Sequence, residues 1–61
     1  MTGADFKQIR QHLGLTQREL ADRMGYSRRE TIAKIESYPV VPTHVEAHIK
    51  EIRTLEQSAK G

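Results

Sequence analysis

The sequence predicts an all-α fold: a compact domain of four helices, five at most. Three observations carry that expectation. Apolar residues recur at three- and four-residue intervals in four separate stretches. A Ser/Thr-x-x-Asp/Glu pattern, the mark of a helix start, precedes each stretch. Glycine or proline falls between the stretches, where helices stop.

Thr2 and Asp5 have capping-box spacing, with Asp in place of the usual Glu or Gln. Phe6, Ile9 and Leu13 then share one face of a helix over about residues 4–13. Arg10 falls on that apolar face, so it requires a partner. Gly14 ends the helix as a left-handed residue. Thr16 and Glu19 form a full capping box, and Leu20, Ala21 and Met24 make the buried side of a second helix. Glu19 and Arg23 have the spacing of an i,i+4 ion pair. Gly25 stops this helix, and Ala21 is small enough to let the next one approach closely.

Ser27 and Glu30 repeat the box and open a third helix, which buries Ile32 and Ile35 and runs to Glu36 or Ser37. Tyr38-Pro39-Val40-Val41-Pro42 is an extended loop, because each proline disfavours the α region for the residue before it. Thr43 and Glu46 open a fourth helix to about Gln57. Its stripe is Val45, Ile49, Ile52 and Leu55. Residues 1–57 thus make one domain, and Ser58 to Gly61 a frayed tail.

Sixty-one residues lie near the lower limit of independent folding. Without cysteine there is no disulfide to help, so stability comes from helix packing or from a second copy. The net charge is +2 and the pI about 9.3. Residues 1–36 carry seven basic and five acidic side chains; residues 37–61 carry three of each. The excess lies in the half that holds the second and third helices, as an electrostatic footprint for phosphate requires. No export signal or membrane span is present, and the chain is expected in the cytoplasm.

Gly14-Leu15-Thr16-Gln17-Arg18-Glu19-Leu20-Ala21, Met24-Gly25-Tyr26-Ser27, Ile32 and Ile35-Glu36 together resemble the phage repressor/Cro-type helix-turn-helix family, also called the xenobiotic-response-element family. The resemblance covers about residues 5–52. It implies a lambda-repressor-like fold whose third helix enters the major groove of DNA. It also implies that Gln17 contacts a phosphate and braces the third helix, with the amides capped by Thr16 facing the backbone. Arg10 is expected to pair with Glu36.

One departure stands out. The family has four residues' spacing from the turn serine to the first isoleucine of the third helix; Ser27 to Ile32 is five. Counting back from Ile32, which must be buried, places Arg28 at the cap and Arg29, Glu30 and Lys34 at base-reading positions. Arg28 is then a phosphate contact.

Each assignment has a plainer competitor. Arg29 forks onto a guanine edge, and Glu30 accepts from a cytosine amine, unless Glu30 merely closes a capping box with Ser27. Lys34 reaches either a base or a phosphate. Tyr38 either donates to a phosphate or covers the small core, and Tyr26 belongs to the core with its hydroxyl at the rim. His44 and His48 are four apart on the fourth helix, a spacing that chelates metal, but two histidines are too few for zinc. They read as surface residues or a dimer contact. No cofactor is implied. Nothing resembles a nucleophile with its base, and so short a chain leaves little room for a substrate pocket.

The expected function is a sequence-specific DNA-binding regulator, a repressor or autorepressor. It acts on double-stranded DNA as a homodimer through the fourth helix or the C-terminal residues, on an inverted-repeat operator. The alternative is a protein-interaction module, such as an antitoxin or adaptor, on the same fold.

Overall fold

A computed structural model describes the backbone of residues 1–60 and the side chains of residues 1–56. Four helices make the fold: α1 (Gly3–His12), α2 (Gln17–Met24), α3 (Arg29–Glu36) and α4 (Thr43–Lys60), with no strand among the described residues.

The capping boxes of α1 and α2 are both formed. The Thr2 hydroxyl accepts from the Asp5 amide and the Asp5 carboxylate from the Thr2 amide. Thr16 and Glu19 reciprocate in the same way at α2. Each box satisfies amides that the first turn of a helix leaves without a partner.

Both helices end in the same manner. Gly14 and Gly25 have φ of +73° and +79°, a region that side chains other than glycine's rarely adopt. After each glycine the chain turns back. The Leu15 amide donates to the Arg10 carbonyl, and the Tyr26 amide to the Ala21 carbonyl. These are the long hydrogen bonds of a Schellman turn, whose following residue packs against the helix it ends. That explains Leu15, a core member that no helical stripe contains.

The core is Phe6, Leu15, Leu20, Ala21, Met24, Ile32, Ile35, Val41, Val45, Ile49 and Ile52. Met1, Ile9, Leu13, Tyr26 and Tyr38 pack around it, half-buried. Leu55 extends the expected α4 stripe but is 61% exposed.

Two of the four expected capping boxes do not form. At α3 the N-cap is Arg28, where counting back from Ile32 places it, and no side chain caps the helix. Burial of Ile32 and Ile35 fixes the frame of α3, so the extra residue leaves Ser27 one position too early to cap. At α4 the Pro42 carbonyl accepts from the Val45 and Glu46 amides. Thr43 therefore lies inside the helix, and Glu46 bonds the Met1 amino group and Lys50 instead of closing a box.

The Glu19–Arg23 pair also gives way, since Arg23 pairs with Glu56 and ties α2 to α4. Helix α4 continues through residues 58–60, expected as part of a tail, and Gly61 lies outside the described residues.

Candidate nucleic-acid interface

Helix α3 is amphipathic over only eight residues. Ile32 and Ile35 enter the core, while Arg29, Glu30, Ala33 and Lys34 are exposed. Because the buried pair is fixed, the opposite side of the helix is fixed as well. Arg28, just before it, is extended (φ −135°, ψ 139°) and exposed.

The helix is held at both ends by different devices. At its start, the turn at Gly25 sets the direction in which the chain leaves α2. At its finish, Glu36 accepts from Arg10 Nε at 2.6 Å and from Gln17 Nε2 at 3.0 Å, one carboxylate oxygen for each. Arg10 uses a further nitrogen on the Leu15 carbonyl at 2.8 Å. The charged side chain on the apolar face of α1 thus links α1, the first turn after it, α2 and α3. Arg10 and Glu36 are only 11% and 7% exposed at their side chains, and among the described residues no buried side-chain N or O lacks a partner.

The N-terminus of α1 sits against the end of α3. Gly3 donates its amide to the Tyr38 carbonyl at 2.9 Å. A Cβ at Gly3 would lie 2.3 Å from the Glu36 carbonyl oxygen, so only glycine fits there.

The structure distributes the sequence-predicted residues over three places. Ser27, Arg28, Arg29 and Glu30 come together along one cleft between α2 and the start of α3. Lys34 lies one turn further along the exposed side of α3. Thr16 and Gln17 open α2, with Gln17 half-buried against Glu36. Tyr38 follows α3, half-buried against the core.

Sequence reasoning missed Arg18, which lines the same cleft from α2. It occupies a variable position of the Thr-Gln-x-x-Leu-Ala element, and only its charge and its place in the first turn of a helix marked it. Nearby, the hydrogen bond from the Thr16 amide, then the Thr16 side chain and the charge of Arg23, hold the Glu19 carboxyl below the usual glutamate range.

A helix-turn-helix family model matches residues 6–43, more than half of the chain. The chain belongs to the helix-turn-helix family. It is a DNA-binding domain of the Cro/CI type, with the lambda-repressor-like fold. The match runs from Phe6 to Thr43, the first residue of α4, so most of α4 lies beyond it. No curated protein and no solved structure matches the chain. Among the described residues, no helix is long and apolar enough to cross a membrane. No group of three or more His, Cys, Asp or Glu among them could hold a metal.

Proposed function

We propose that this helix-turn-helix protein is a sequence-specific transcriptional repressor, or autorepressor, that binds a short inverted-repeat operator as a homodimer. The observation that carries the reading is the division of α3. Its apolar pair is spent on the core, and Arg29, Glu30, Ala33 and Lys34 are left outward on a short, braced helix. An eight-residue helix is about 12 Å long, comparable to the width of the major groove.

In that groove Arg29 forks onto the O6 and N7 of a guanine, and Glu30 accepts from a cytosine amine. Lys34 reaches a base or a phosphate from the next turn. Arg28 and Ser27 lie at the edge of the groove, where backbone contacts set register without reading sequence. Thr16 and Gln17 present the start of α2 to another phosphate, as helix N-termini favour anions. Tyr38 supports the end of α3 from the core side.

A single unit reads few bases, and two copies bound about 34 Å apart supply the missing specificity. Helix α4, with Leu55 exposed beyond the core, offers the contact between them.

Selection of duplexes from a random pool by the purified full chain tests the reading. The expected product is an inverted repeat with a symmetric footprint. Recovery of no preferred sequence would overturn it.

A further inference from the structure

The cleft between α2 and the start of α3 is lined by three arginines. Arg18 comes from α2; Arg28 and Arg29 come from the beginning of α3. All three are exposed, and none forms an ion pair among the described residues. Asp22 and Glu30 line the same cleft, so its formal charge is +1.

Two other arginines in this chain are paired: Arg10 with Glu36 and Arg23 with Glu56. Arg18 is four residues before Asp22, a spacing at which an ion pair forms on a helix, yet no such pair is present. Its guanidinium is left available at the rim of the surface that α3 presents.

We infer that Arg18 is a further DNA-contacting residue, gripping a backbone phosphate from α2 while Arg28 grips one from the start of α3. This rests on the proposed DNA reading and deepens it. The two arginines approach from different helices, so together they fix how deeply and at what angle α3 enters the groove. Neither reads a base. Phosphate contacts orient a protein on the duplex and carry no sequence information themselves.

The test is the salt dependence of binding for the full chain and R18Q. The probes are the selected operator and a random-sequence duplex of equal length. Each phosphate contact contributes about 0.9 to the slope of log affinity against log salt. The bound dimer carries two Arg18 side chains, so R18Q should lower the slope magnitude by about 1.8 on both duplexes, leaving base preference unchanged. Between about 50 and 200 mM salt, the variant should lose about twelvefold less affinity than the parent. R18K should restore most of the slope, because a phosphate accepts any cation.

Circular dichroism should show R18Q folded, since Arg18 is exposed and unpaired. An unchanged slope would overturn the proposal, and so would a changed preference at one operator position, which would mark a base contact. Failure of the parent chain to bind either duplex would instead overturn the DNA reading on which the proposal rests.

Discussion

The Arg10 guanidinium meets the Glu36 carboxylate at 2.6 Å, joining the apolar face of α1 to the last residue of α3. This pair, with Gln17 on the second carboxylate oxygen, places the end of the candidate reading helix. Its geometry makes it a unit in which no member can be removed alone. Glu36→Ala would leave Arg10 and Gln17 facing a void, and breaking a buried pair costs about 3–5 kcal/mol. A core this small supplies about the same. Urea denaturation should find E36A largely unfolded at room temperature, and R10A close behind it.

The reading surface should be separable from that scaffold. Arg29 and Lys34 are exposed and make no ion pair among the described residues. Replacing both with Ala should abolish operator binding in a gel-shift assay while the thermal midpoint moves by only a few degrees. Retention of binding would show that α3 is not the helix that reads DNA. A partner protein bound in place of DNA would tolerate the double change.

Gly3 gives a steric prediction. A methyl group there would overlap the backbone oxygens of Ile35 and Glu36, and backbone cannot rotate away as a side chain can. Gly14→Ala meets no atom within 4 Å and bears only the strain of φ +73°, about 1–2 kcal/mol. The thermal midpoint should therefore fall further for G3A than for G14A.

The cap of α2 links stability to acidity. Hydrogen bonds from Thr16 hold the Glu19 carboxyl below its ordinary value of 4.5. A depressed carboxylate contributes stability that is present above the ordinary value and is lost as pH falls through the lowered one. Thermal midpoints measured from about pH 5 downward should drop less steeply for Glu19→Gln than for the parent. Thr16→Ala should cost about 1 kcal/mol near neutral pH.

The proposed dimer depends on α4. Leu55 is 61% exposed, so Leu55→Glu leaves the monomer core intact. Sedimentation should then show a monomer where the parent is dimeric, and operator affinity should fall with the loss of the second half-site. An unchanged dimer would place the contact elsewhere.

The sequence by itself determined the helix count, the two capping boxes at α1 and α2, the glycine stops and most of the core. All of these are local or periodic: a helix start needs four adjacent residues, and an amphipathic stripe repeats every turn. It also pointed to Arg10, because a charge on an apolar face demands a partner. The family motif supplied Glu36 as that partner.

Tertiary structure alone decided the rest. The capping box at Ser27 did not form, because burying Ile32 and Ile35 holds α3 in the frame that the count back from Ile32 gives. Arg23 left its helical neighbour for Glu56, thirty-three residues away, because α4 packs where α2 ends. Gly3 and Arg18 gained their meaning from what lies across from them, the end of α3 for one and its beginning for the other. Propensity and spacing describe a residue's neighbours along the chain; packing chooses its neighbours in space.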